Sequence, residues 1–164
     1  MGEIFYVYLN QDDPKKSTMK KLERYGLAIH IPITKIYSKL YLTPYSENFL
    51  LNSDRELYER HGIVVIDGSW NRISSIENMT AKNGRKLPLL LPVNPVNYGK
   101  PGKLSSLEAL AAALYIMGCT DLTDDIISKY SWAQNFIKTN INPLEDYSKC
   151  TTNEECIAVQ ETYF

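Results

Sequence analysis

The stretch from Arg85 to Gly118, RKLPLLLPVNPVNYGKPGKLSSLEALAAALYIMG, constrains the fold more than any other part of the chain. A buried apolar run at 87–91 leads into a Pro/Asn/Gly loop and then a helix. In α/β folds, ligands sit in the backbone-rich loops that follow strand ends, so this loop is a candidate site. Ser105 is placed as N-cap, Glu108 as its capping-box partner three residues later, and Gly118 as the residue that closes the helix. Leu107, Leu110, Leu114 and Met117 line one face, while Ala111, Ala112 and Ala113 leave much of the rest small and apolar. That pattern predicts a mostly buried helix.

The remaining elements are marked by the same kinds of signal. Residues 4–9 form a β-branched and aromatic run that reads as the first strand. A short helix is expected over 19–25, with Ser17 or Thr18 as N-cap and Gly26 after it. Residues 28–31 and 39–42 are strand-like, the second stopping at Thr43-Pro44, where proline forbids a central strand. Ser53 with Glu56 predicts a capping box opening a helix to about residue 60, ended by Gly62. The run Ile63-Val64-Val65-Ile66 is continuously apolar, as in a parallel-sheet strand covered on both faces. Beyond Thr123 no strand-like alternation survives, and helices are expected to start at Asn142-Pro143 and at Thr152 with Glu155. The fold class is therefore α/β: a parallel-sheet domain over 1–88, then a mainly helical domain over 89–164, with the ligand between them.

With 164 residues and 44% hydrophobic content, the chain can bury a sizeable core. No run reaches the roughly 18 apolar residues of a membrane span, and the first apolar segment lacks a basic flank, so a cytoplasmic protein without membrane contact is expected. Cys119, Cys150 and Cys156 have neither disulfide-framework nor zinc spacing, and no metal site is expected. Net charge is −1 but unevenly spread. From Gly68 to Leu107 there are six basic residues, Arg72, Lys82, Arg85, Lys86, Lys100 and Lys103, against one acidic, Glu77. Such a zone can hold phosphates in an otherwise acidic protein.

Residues able to carry chemistry follow the buried strand directly, as Asp67-Gly68-Ser69-Trp70. A carboxylate, a hydroxyl and an indole at a strand's carboxyl end suit a ligand crevice. Turn capping by Asp67 and core packing by Trp70 are the plain alternatives. No GxGxxG, GxxxxGK[ST] or HExxH motif is present, and His30 and His61 are isolated, which leaves Rossmann-type, nucleotide-hydrolysing and zinc-protease chemistry without support.

Six segments in order, DDPKKSTMKKLERYG, LTP, VIDGSW, KLPLLLPVNPVNYG, KLSSLEALAAALYIMG and YSWAQNFIKTN, resemble the aminocarboxypropyltransferases that modify a pseudouridine in small-subunit ribosomal RNA. The chain departs from that family's pattern at Gly68, where cysteine is usual. The resemblance implies a SPOUT-like trefoil knot in the sheet domain and an all-helical C-terminal domain. It also implies transfer of the 3-amino-3-carboxypropyl group from S-adenosylmethionine to N3 of an N1-methylated pseudouridine during ribosome biogenesis, with release of 5′-methylthioadenosine.

For the site, the resemblance implies catalytic roles for Asp67 and Glu108, and cofactor contacts by Thr18, Leu42, Pro44, Ile66, Asp67, Trp70, Ile73, Leu90, Tyr98, Ser105 and Ala109. Trp70 and Ile73 would bury the methyl group and leave the amino acid arm exposed to the nucleophile, while Leu42, Pro44, Ile66 and Leu90 would hold adenine. Lys15, Lys20, Arg72, Lys82, Arg85 and Lys103 are the expected RNA-backbone contacts of a monomer acting on small-subunit rRNA or a pre-ribosomal subunit. Two other readings stay open at this level: a SPOUT-class RNA methyltransferase and a non-catalytic rRNA-binding assembly factor.

Overall fold

The apolar run at 63–66 is the centre of a parallel sheet. A computed structural model of the chain describes residues 2–9, 17–67 and 82–164. It divides into two compact units: residues 1–48 with 56–86, and residues 49–55 with 87–164.

Among its described residues the first unit holds five strands: β1 (Ile4–Tyr8), β2 (Ile29–His30), β3 (Leu40–Leu42), β4 (Ile63–Asp67) and β5 (Gly84–Arg85), in the order β2-β1-β4-β3-β5. Every pairing is parallel, and β4 lies between β1 (Ile4 opposite Ile63, Tyr8 opposite Asp67) and β3 (Leu40 opposite Ile63). All five β4 residues are buried, which is why the run shows no polar alternation. Val7, Ile31, Ile36, Tyr41, Val64 and Ile66 form an apolar cluster within this unit. Helix α1 (Thr18–Arg24) follows β1, capped by Ser17, whose hydroxyl accepts from the Lys20 amide at 3.2 Å, and it buries Met19 and Leu22. Helix α2 (Arg55–His61) ends at Gly62, which has φ +86°; a Cβ there would sit 2.9 Å from the Glu3 carbonyl, so only glycine makes the turn into β4.

The expected Ser53/Glu56 capping box does not form. A 3-10 turn at Asn52–Asp54 precedes α2, and the Asp54 carboxylate takes the Leu51 amide at 2.9 Å, leaving Glu56 to pair with Arg60 on an exposed face. Both acidic residues lie within reach of a helix start, and the one closer to the turn wins it.

In the second unit the regular elements among the described residues are helices: α3 (Ser106–Ile116), α4 (Thr120–Ser128), α5 (Phe136–Thr139), α6 (Ile141–Ser148) and α7 (Asn153–Tyr163). Ala111, Ala112 and Ala113 are fully buried where α3 packs against α4 and α6, so the helix is covered nearly all round as its composition requires. The segment 49–55 belongs here: Phe49 N–H donates to Asn153 Oδ1 at 2.9 Å, and Asn52 Nδ2 donates to the Ile116 carbonyl at 3.1 Å, satisfying one of the carbonyls left open at the end of α3.

The run at 87–91 is not a strand. Pro88 and Pro92 have no N–H to give to a ladder. Side chains take the backbone groups between them: Leu89 N–H donates to Gln160 Oε1 at 2.9 Å and the Leu89 carbonyl accepts from the Tyr147 hydroxyl at 2.9 Å. Asn140 closes both groups of Leu91, accepting its N–H and donating to its carbonyl, each at 2.8 Å.

Candidate active site

Parallel strands end together, so their carboxyl ends gather the residues that follow them. Asp67 is the last residue of β4 and is 8% exposed. Its carbonyl accepts the Leu9 amide at 3.0 Å, and its carboxylate accepts a short hydrogen bond from the Ser17 hydroxyl. Ser17 thus does two things at once, capping α1 and fixing the orientation of Asp67. Tyr6, one strand over, has its phenol pKa pushed up to about 12, first by burial and then by the nearby carboxylates of Glu23 and Asp67. Lys20 places Nζ 4.3 Å from the Tyr8 ring centroid, a cation–π contact at the same strand's end. At the end of β3, Leu42 and Thr43 are buried and Pro44 is exposed, with Thr43 Oγ1 accepting the Tyr45 amide at 3.2 Å.

In the second unit the loop between residues 93 and 105 is built around Glu108. This side chain, 1% exposed, accepts Val93 N–H at 2.6 Å through Oε2, and Asn94 Nδ2 at 2.7 Å and Ser105 N–H at 3.0 Å through Oε1. Ser105 returns the bond, its hydroxyl accepting Glu108 N–H at 3.2 Å. Asn94 Oδ1 accepts Asn97 N–H at 2.9 Å, Gly99 N–H reaches the Pro92 carbonyl and Gly102 N–H the Leu90 carbonyl, both at 3.0 Å. Gly99 and Gly102 take φ of +74° and +78°, the left-handed conformation that reverses the chain twice within the loop. Both carboxylate oxygens of Glu108 are thereby committed to loop donors.

Among known proteins the chain is 53% identical to the 16S rRNA aminocarboxypropyltransferase of Thermoplasma volcanium, over 100% of this chain and 99% of that protein. The chain belongs to the 16S rRNA aminocarboxypropyltransferase family. The Methanocaldococcus jannaschii member is 39% identical over 99% of this chain and 96% of its own. Residues 40–164 match the family model described as ribosome biogenesis protein, C-terminal. The solved structure described as the SAM-dependent rRNA:acp-transferase Tsr3 from Vulcanisaeta distributa superposes with a TM-score of 0.85 at 35% identity, covering 99% of this chain and 95% of that one.

Within this transferase family member, the expected site residues fall into distinct settings. Thr18 opens α1 beside Ser17 and is half-buried; Asp67 and Ser17 are joined directly. Ile66 lies in the apolar cluster of the first unit. Leu90 is fully buried, with its carbonyl held by Gly102, and Ser105 and Ala109 are half-buried at the start of α3. Tyr98 stands 72% exposed on its loop. Of the basic residues, Lys82 and Lys103 are exposed and Lys20 half-buried, while Arg85 turns Nη1 onto the carbonyls of Lys82 (2.8 Å) and Gly84 (2.9 Å) and braces its own strand. Trp70, Ile73, Lys15 and Arg72 lie outside the described residues. Sequence reasoning missed Asn94 and Asn140 altogether and saw Ser17 only as a cap. Asn94 sits in an Asn/Pro/Gly-rich loop, where asparagine side chains commonly bond nearby backbone, and that is the signal for it; Asn140 left none.

Proposed function

We propose that the chain transfers the 3-amino-3-carboxypropyl group of S-adenosylmethionine to N3 of an N1-methylated pseudouridine in small-subunit rRNA, releasing 5′-methylthioadenosine, as a cytoplasmic monomer on a SPOUT-like knotted fold. The observation that carries this reading is Asp67: a buried carboxylate at the carboxyl end of the central strand, oriented by Ser17, in a chain similar over its full length to proteins named 16S rRNA aminocarboxypropyltransferase. A carboxylate so placed suits a cationic cofactor, and the apolar Leu42, last residue of β3 in the same parallel sheet, suits an uncharged ring, so the residues present fit the group.

S-adenosylmethionine supplies three carbons activated by one sulfonium; the chain decides which of them meets the nucleophile by burying the others. Attraction between Asp67 and that charge favours binding more than rate, because the positive charge disappears on the way to the transition state. We therefore give Asp67 a binding role. Glu108 takes a positioning role, holding the loop rather than touching reacting atoms.

The test uses the full chain with rRNA and S-adenosylmethionine labelled in parallel on the carboxyl or the methyl carbon. Carboxyl label should enter the RNA and methyl label should leave as 5′-methylthioadenosine. Methyl label in the RNA with adenosylhomocysteine released would make the chain a methyltransferase, and no cofactor binding would make it an assembly factor.

A further inference from the structure

Val96 and Tyr98 are the most exposed large hydrophobic residues among those described, at 82% and 72%. They stand on the loop whose other residues are tightly held: Glu108 takes Val93 N–H, Asn94 Nδ2 and Ser105 N–H, Asn94 takes Asn97 N–H, and Gly99 N–H closes onto the Pro92 carbonyl. Lys100 N–H bonds the Asn97 carbonyl at 3.0 Å, closing a turn that contains Tyr98, and Lys103 N–H bonds the Lys100 carbonyl at 3.1 Å, closing a second turn directly after it. A loop braced this way carries these exposed apolar side chains on a fixed backbone. The flanking charges are of one sign: Lys100 and Lys103 are exposed, and the stretch 93–105 contains no acidic residue.

We infer that Tyr98, with exposed Val96, Lys100 and Lys103 on the same loop, is a stacking platform for an unpaired nucleotide of the RNA substrate. The inference rests on the rRNA-modifying function proposed above and assigns Tyr98 to the RNA rather than to the cofactor. Unpaired bases are recognised by aromatic side chains that offer an open ring face, with lysines on the adjacent phosphates. A base modified at an atom engaged in pairing must be out of its helix, so at least one unpaired nucleotide is presented where this enzyme acts. A tyrosine on a braced backbone gives the contact with less ordering cost than one on a mobile loop. Preorganisation also gives Glu108, Asn94, Gly99 and Gly102 a common purpose.

The test measures binding of the full chain to a fluorescein-labelled oligouridylate by anisotropy across a salt series, and binding of S-adenosylmethionine by calorimetry. Tyr98→Ala should weaken oligouridylate binding about tenfold or more with the salt slope and cofactor affinity of the parent. Tyr98→Phe and Tyr98→Trp should keep the parental affinity. Lys100→Ala with Lys103→Ala should flatten the salt slope by about 0.7 for each phosphate that the two lysines no longer neutralise. Parental RNA affinity in Tyr98→Ala overturns the inference, as does a loss matched by an equal loss of cofactor affinity, or a parent that does not bind the oligouridylate. If the parent still transfers carboxyl label to rRNA in any of those cases, only the platform fails; if it transfers none, the proposed function fails with it.

Discussion

Two apolar runs in this molecule solve the same problem by different means. In β4 the backbone of residues 63–67 is taken by the strands on either side, β1 and β3, so the hydrogen bonds depend on no particular side chain. In the run 87–93 the amides of Leu89, Leu91 and Val93 are taken by Gln160, Asn140 and Glu108, one side chain for each. A ladder tolerates substitution because backbone meets backbone. A segment held by side chains is only as stable as each holder, since removal of one strands a buried donor. The first arrangement gives a rigid wall that ends in Asp67; the second shapes an irregular path that no sheet can follow and delivers the loop at 93–105 in one conformation.

The contrast is sharpened most by Glu108→Ala. It strands the donors of Val93, Asn94 and Ser105 together and should cost about 4 kcal/mol in urea unfolding, at ~1–3 kcal/mol for each buried group left unsatisfied and with some relaxation. A cost below about 1 kcal/mol would mean that the loop is held by its glycine turns alone.

Asn140→Ala comes next. Asn140 is fully buried and serves both backbone groups of Leu91 as well as the Phe136 carbonyl, at 3.0 Å, so the loss should be ~2–4 kcal/mol. Hydrogen exchange separates the two regions: the Leu91 amide should lose protection while those of Val64, Val65 and Ile66 keep theirs. Equal loss at both would show that the runs open as one.

Ile66→Val is the smallest of the three. It removes one methyl from the apolar cluster but no hydrogen bond, and should cost ~0.5–1.5 kcal/mol with the ladder amides still protected. A larger cost, approaching that of Asn140→Ala, would erase the distinction between the two runs.

The same contrast explains what could be seen in the sequence. β4 and α3 were legible because their signals are local: an unbroken β-branched run, and Ser105, Glu108 and Gly118 at capping distance around an apolar helix. The run 87–91 is legible only as a buried apolar run, because hydrophobicity reports burial and says nothing of who takes the hydrogen bonds. Its holders lie 49 to 71 residues further along the chain, where no local pattern points to them. Glu108 shows both sides of this. Its capping box was visible, but the bonds to Val93 and Asn94 that make it the hub of the loop were not. Asp67 was found from its place after a buried strand, whereas its partner Ser17 is 50 residues earlier and carried only the ordinary mark of a helix cap.

The claim at the centre is that Asp67 serves the cofactor while Glu108 serves the fold. Asp67→Asn tests it most directly, because an amide can still accept the Ser17 hydroxyl while removing the negative charge. Calorimetric affinity for S-adenosylmethionine should fall about tenfold or more, with the urea midpoint near that of the parent and turnover at saturating cofactor nearly unchanged. Parental affinity with turnover reduced by about 10²-fold would make Asp67 the base that takes the imino proton. Parental values for both affinity and turnover would contradict the claim and leave Asp67 as a residue that anchors Ser17.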